Sequence, residues 1–262
     1  GAGACGGQFT ANTMSMALDI LGISPAGLNG VPALHPDKEA ACARAGELVM
    51  TLVREDTRPS RIITREAIEN AIAGVAASGG STNAVLHLLA IASELGIALA
   101  IDDFDAIAAR TPIVADLTPG GRYVATDLHA AGGVALVTRE LARAGLLNPD
   151  ARNVDGRTVG EIARAARETP GQEVVLPHER PLAATGGLAI LRGDLSPDGC
   201  VVKLAGHERR RHAGPARVFD SEEEAFRAVT ARAIRPGDVV IIRYEGPVGG
   251  PGMREMLHVT AA

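Results

Sequence analysis

The chain has 262 residues, 46% of them hydrophobic and 22% charged, the balance of a soluble globular protein with room for one large domain or two ordinary ones. A net charge of −5 gives no electrostatic basis for nucleic acid or an anionic membrane as partner, and no apolar run approaches the roughly 20 residues of a membrane-spanning helix. Cys5, Cys42 and Cys200, odd in number and widely spaced, make no disulfide framework, which predicts a reducing compartment and hence the cytoplasm.

The opening stretch, GAGACGGQFTANTM, sets Cys5 in a run of Gly and Ala just ahead of a helix start. It has neither the basic leader nor the apolar core of a signal peptide. Small neighbours let the backbone come close to something bulky held by the sulfur. Thr10 and Asn12 are expected to cap the helix, with Met14, Leu18 and Leu21 on its apolar side. A thiol at such a place suits a metal ligand or a nucleophile; a small buried turn residue is the plainer role.

A turn-rich loop follows Gly22, then a helix from Asp37 to Glu55 with Ala41, Ala45, Leu48, Val49 and Leu52 at helical spacing. Cys42 within it is expected to pack in the core. Thr64 to Ala77 reads as a helix burying Ile68, Ile72 and Val75, broken by Gly79-Gly80. Ser81 is expected to cap a largely buried helix running to Leu95, with His87 a satisfied core histidine. Ile97 to Ile101 suits a short buried strand, followed by a helix capped by Asp102. Further helices are expected over Val134–Ala144, ended by Gly145, and Thr158–Arg167.

Around Glu168 to Ala184 the composition turns to Pro, Gly and polar residues, as in a linker. Beyond it come short β-type runs, Leu188–Leu191, Cys200–Leu204, Ala216–Phe219 and Val239–Tyr244, with a capping box at Ser221 and Glu224 opening a helix through Ala231. Cys200 is expected to be a buried structural thiol. Arg209, Arg210 and Arg211, with His207 and His212, read as a solvated loop, since no aromatic residues interleave them. The expected fold class is α/β (α+β): a helix-rich α/β part over 1–172, a linker over 173–184, and a small β-rich, barrel-like domain over 185–262, incomplete at its C-terminus. Near the end, EGPVGGPGMREM wraps Gly and Pro around a single carboxylate, Glu255. No Lys-Ser/Thr follows to make it a P-loop, and a plain surface turn is the ordinary alternative.

GACGGQFTANTM resembles the third cysteine motif of the dihydroxy-acid dehydratases, iron–sulfur lyases of branched-chain amino-acid synthesis. The likeness continues through GGSTNAVLHLLAIA (79–92), ADL (115–117), GGV (132–134), PLAATGGLAILRG (181–193), GPARVFDSEEEA (214–225) and PGDVVIIRYEGPVGGPGMREML (236–257). It implies an iron–sulfur cluster, [2Fe–2S] ahead of [4Fe–4S], with Cys5 as one of three cysteine ligands, and Mg²⁺ held by Glu255. Glu245 is a weaker candidate, a helper that shapes the loop. It also implies a small 2,3-dihydroxy acid as substrate and a homodimer. The open iron would act as Lewis acid on the C3 oxygen while magnesium stabilises charge at C2.

The family's other two cluster cysteines, an aspartate and a carbamylated lysine are expected upstream of Gly1, and its base serine beyond Ala262. No catalytic residue is therefore assigned within this chain, which is expected to lack both ends and to be inactive alone. Gln8 and Phe9 stand where the family usually has Met-Tyr. Alternatives are a sugar-acid dehydratase of the same family, a non-catalytic fragment that needs a partner chain, and, more weakly, a thiol enzyme using Cys5 as nucleophile.

Overall fold

A computed structural model describes residues 5–206, 211–250, 252, 254 and 256–261. They fall in two compact units, Gly1–His207 and Glu208–Ala262.

The first unit holds α1 (Thr10–Leu21), α2 (Lys38–Arg54), α3 (Pro59–Ile62), α4 (Arg65–Ala77), α5 (Asn83–Glu94), α6 (Ile101–Arg110), α7 (Ala125–Ala131), α8 (Val134–Arg143) and α9 (Val159–Ala165). Its hub is α4, from Ala67 onward buried almost throughout, with α1, α5, α6 and α8 packed around it. Small residues make that possible. A Cβ at Gly74 would collide with Ile20, so glycine there sets how closely α1 approaches α4. Thr64 caps α4 as expected, its hydroxyl accepting from the Ala67 N–H at 3.2 Å. Ile68, Ile72 and Val75 are fully buried, each stabilising the unit by about 1.5–3 kcal/mol.

Two expectations fail along this stretch. Residues 97–100 form no strand: Ile97 and Leu99 are only half-buried, and the Ala98 carbonyl takes a hydrogen bond from Arg65 Nη1 at 2.6 Å instead of a neighbouring strand. Asp103, not Asp102, caps α6, accepting from the Ala100 N–H at 2.7 Å. The helix α5 buries one stripe, Ala84, Val85, Leu88 and Ala92, rather than most of its faces, and His87 is half-buried. The bounds of α2 match the sequence pattern, yet Ala41 is its one buried residue. Cys42 is exposed, not a core residue: it stands one position round the helix from Ala41, off the side of α2 that is buried.

Residues 113–117 and 174–183 run back against each other: Leu176 N–H donates to the Val114 carbonyl, and Ile113 N–H to that of Ala183. There follow β1 (Leu188–Gly193) and β2 (Ser196–Lys203), an antiparallel hairpin in register Leu188↔Lys203 that lies on α6. Cys200 pairs with Leu191, and both face outward, so the expected buried thiol is exposed.

The second unit contains β3 (Ala216–Phe219), α10 (Glu222–Thr230), β4 (Val239–Ile242) and α11 (Leu257–Ala261). β3 and β4 pair in parallel, Ala216 opposite Val239, with α10 as the crossover that parallel pairing demands. Ser221 Oγ caps α10, accepting from the Glu224 N–H at 3.2 Å. Among the described residues no closed barrel forms: the strands make two separate two-stranded sheets. His207, Arg209 and Arg210 lie outside the described residues; Arg211 is exposed. No described helix is long and apolar enough to cross a membrane.

Candidate functional site

Cys5 is exposed on the segment leading into α1. The backbone beneath it is pinned from two sides. Asn12, in the first turn of α1, donates from Nδ2 to the carbonyls of Cys5 at 3.1 Å and Gly7 at 2.7 Å. Thr118 Oγ1 donates to the Gly6 carbonyl at 2.9 Å, and the Thr118 carbonyl accepts the Gln8 N–H. Every carbonyl from Cys5 to Gly7 is thus engaged, which leaves the Cys5 thiol as the outward-facing donor of the turn. The expected caps are corrected: Phe9 holds the N-cap position and no side chain caps α1. Asn12 uses its amide as a donor instead, because the Gly/Ala turn offers carbonyls that need partners.

Thr118 is itself placed by a buried aspartate. Asp116 accepts from the Arg122 N–H at 3.0 Å and from its guanidinium, while Tyr123 N–H donates to the Asp116 carbonyl at 3.0 Å. Thr118 N–H then reaches the Tyr123 carbonyl at 2.8 Å, closing the loop that presents its side chain to the Cys5 turn. Gln8 is buried, and its Nε2 donates to Ser78 Oγ at 3.3 Å at the end of α4, so the amide standing in a usual methionine position is satisfied. Beside the turn lies a cavity of about 170 Å³ lined by Gln8, Asn12, Met16, Lys38 and His129 among others. Lys38 Nζ donates to the Val31 carbonyl there at 2.8 Å. His129 meets His35 edge-on at 4.8 Å, and burial, with the charge of His35, lowers its pKa.

Glu255 lies outside the described residues. Its neighbour Arg254 ion-pairs with Glu222 at 3.0 Å, Glu223 at 2.5 Å and Glu245 at 3.5 Å. Glu245 accepts the Glu222 N–H at 2.7 Å and so holds the Gly/Pro loop to the N-terminus of α10, a concrete form of the loop-shaping role expected of it.

An exposed thiol on a fixed turn fits an iron–sulfur ligand, since soft thiolate sulfur is what such clusters take. A second grouping, Glu140, His178 and Glu179, brings three ligand atoms within 4.8 Å. Its donor set is nitrogen and oxygen, unsuited to a cluster. The buried Glu140 carboxylate already receives Arg139 Nε at 2.9 Å, Arg143 Nη1 at 3.0 Å and the His178 N–H at 3.2 Å. That makes it the centre of an ion-pair network rather than an open ligand.

Residues 1–162 match the family model described as dihydroxy-acid/6-phosphogluconate dehydratase N-terminal, and residues 173–262 its C-terminal counterpart. The chain belongs to this dehydratase family. Among similar curated proteins, the dihydroxy-acid dehydratase of Koribacter versatilis (strain Ellin345) is 64% identical over all 262 residues, which cover 46% of that protein. Those of Roseiflexus sp. (strain RS-1) and of Thermus thermophilus are each 56% identical over the whole chain, covering 47% of their lengths. The chain therefore spans about half the length of the curated relatives it matches.

Within this chain, sequence patterns singled out Cys5 but missed Thr118 and Asp116 as the groups that hold its turn. The ADL segment carrying Asp116 was the one available sign, because these partners lie far along the chain from Cys5.

Proposed function

We propose that this chain is the Cys5- and Glu255-bearing part of a cytoplasmic, homodimeric dihydroxy-acid dehydratase. It removes water from 2,3-dihydroxy-3-methyl carboxylic acids to give 2-keto acids in valine and isoleucine biosynthesis. Cys5 is one thiolate ligand of a [2Fe–2S] cluster and Glu255 a ligand of Mg²⁺. The observation that supports this most is the alignment of every residue with dihydroxy-acid dehydratases at up to 64% identity. Bound to these residues, the two metal groups supply Lewis acidity at the C3 hydroxyl and at the C2 oxygen of the substrate.

The chain's own contribution is positioning. Asn12 and Thr118 fix the turn so that Cys5 Sγ points outward without reorganisation, and Arg254 ties the segment beside Glu255 to α10. The test is a chimera in which this sequence replaces the matching 46% of the Koribacter versatilis dehydratase, offered branched dihydroxy acids and aldonates side by side. Turnover of the branched acids with little on aldonates is expected. Preference for aldonates would replace the branched-chain substrate with a sugar acid, a change that Gln8 and Phe9 make worth checking.

A further inference from the structure

We propose that the cavity beside the Cys5 turn binds a short, branched monocarboxylate, with its charge on Lys38 and its carbon branch against Met16, Val31 and Leu128. Both walls belong to this chain and are fixed by it. On one side runs the loop after α1. The Gly27 N–H donates to Asp19 Oδ2 at 2.9 Å, Asn29 Nδ2 to the Ser15 carbonyl at 3.0 Å, and Asn153 Nδ2 to the Ser24 carbonyl at 2.9 Å. On the other side α7 turns into α8 through Gly132 and Gly133, both at positive φ, and a Cβ at Gly132 would strike the Arg167 carbonyl. A hole held open by its own backbone takes a ligand with little loss of freedom.

Charge sets the class of ligand. None of the described residues lining the cavity is acidic, and Lys38 has no carboxylate partner among the described residues. Its ammonium uses one N–H on the Val31 carbonyl at 2.8 Å, which holds it at the wall with its other donors free. α8 begins on the same lining without a side-chain cap, so the positive end of its dipole lies there too. The His129 ring and the Ser15 hydroxyl also line the cavity, and neither makes a hydrogen bond among the described residues. Burial holds the His129 pKa down, so at neutral pH it is an uncharged hydrogen-bonding group. One unpaired ammonium matches one negative charge; a phosphoryl group brings about −1.5 to −2.

Size and surface set the rest. The cavity measures about 170 Å³. An apolar cavity of about 150 Å³ accommodates benzene, and 3-methylbutanoate is close to benzene in size. Met16, Val31 and Leu128 are buried, a surface suited to methyl branches rather than to a second polar group. Gln8 and Asn12, which hold the Cys5 turn, line the cavity while Cys5 does not, so a ligand here lies behind the turn.

The test is calorimetric titration of 3-methylbutanoate into the Cys5→Ser form of the Koribacter versatilis chimera in EDTA, where no metal can hold the carboxylate. One ligand per chain with a Kd of about 1 mM or tighter is expected. Lys38→Met should weaken binding at least about tenfold, and Lys38→Arg should restore it to within about threefold. Absence of binding would mean that the rest of the dehydratase fills the cavity, and would overturn the proposal. Binding unchanged by Lys38→Met, equal binding of the uncharged 3-methylbutanamide, or displacement by inorganic phosphate would overturn it as well. These arms need no turnover, so they stand apart from the dehydratase reading. The source of the acid rests on that reading and is decided in the cluster-loaded chimera. Competition with the dihydroxy acid, with Lys38→Met raising KM at unchanged kcat, makes the cavity the substrate's own. Inhibition without competition, abolished by Lys38→Met, makes it a second site for the 2-keto acid product.

Discussion

Asp19 gives the sharpest quantitative test of the packing around α1. It lies near the C-terminal end of that helix, 4% exposed. Its carboxylate receives the Gly27 N–H at 2.9 Å. Burial pushes its pKa from 3.8 up to about 7; the Gly27 bond opposes this, Asp155 adds to it and Arg157 opposes it. In the unfolded chain Asp19 ionises at the ordinary value, so between pH 3.8 and about 7 the unfolded state gains from ionisation while the folded state does not. Folding stability therefore falls as pH rises through this window, levelling off above about pH 7 after a loss of about 4 kcal/mol. Asp19→Asn keeps an oxygen for the Gly27 N–H but cannot ionise. The stability of Asp19→Asn relative to wild type should rise by about 3 kcal/mol, on the order of 10 °C in melting temperature, from pH 5 to pH 8. Any fixed penalty of the new amide is the same at every pH and cancels in that comparison. A gap that stays constant across the range would refute the buried, proton-holding carboxyl.

Other substitutions test other contacts. Glu140→Gln removes the buried charge that Arg139 and Arg143 share and should cost about 3–5 kcal/mol in urea denaturation; a loss below about 1 kcal/mol would contradict the network. Burial alone would raise the Glu140 pKa, but the bonds from Arg139 and His178 hold it below the ordinary carboxylate value. Its stabilisation is then present above the ordinary carboxylate pKa and lost as pH falls through the depressed value, so the cost of Glu140→Gln should shrink in acid. Thr64→Ala deletes the cap of α4 and should cost about 1 kcal/mol, read as a shift in the denaturation midpoint. In the chimera, Arg254→Gln should raise the Mg²⁺ concentration needed for half-maximal activity roughly tenfold while leaving cluster absorbance intact; an unchanged Mg²⁺ requirement would separate Arg254 from the metal.

Where local chemistry decides structure, the sequence was readable. Thr64 and Ser221 mark helix starts because their hydroxyls meet backbone N–H groups three residues on, and β3 occupies the predicted Ala216–Phe219. Where partners decide, it was not. The apolar run at 97–101 has strand composition, yet strand pairing depends on a neighbouring strand, and the Ala98 carbonyl is met by Arg65 instead. The periodicity of α2 identifies a helix but not what covers it, which is why Cys42 was misplaced in the core. Cys200 was misplaced because alternation in a hairpin tells two faces apart without saying which is inside. At the candidate site the motif singled out Cys5, whereas Asn12 acts by folding 5–12 back on itself and Thr118 through a contact visible only once 5–12 and 116–123 are side by side.

The most direct test of the account is Cys5→Ser in the Koribacter versatilis chimera, reconstituted anaerobically with iron, sulfide and Mg²⁺. The exposed side chain makes the substitution nearly neutral for folding, within about 0.5 kcal/mol, so changes in cofactor content report on ligation. The account predicts that the parent chimera shows thiolate-to-iron absorbance and converts 2,3-dihydroxy-3-methylbutanoate to its 2-keto acid, and that Cys5→Ser loses both. Retention of full cluster absorbance by Cys5→Ser would contradict it.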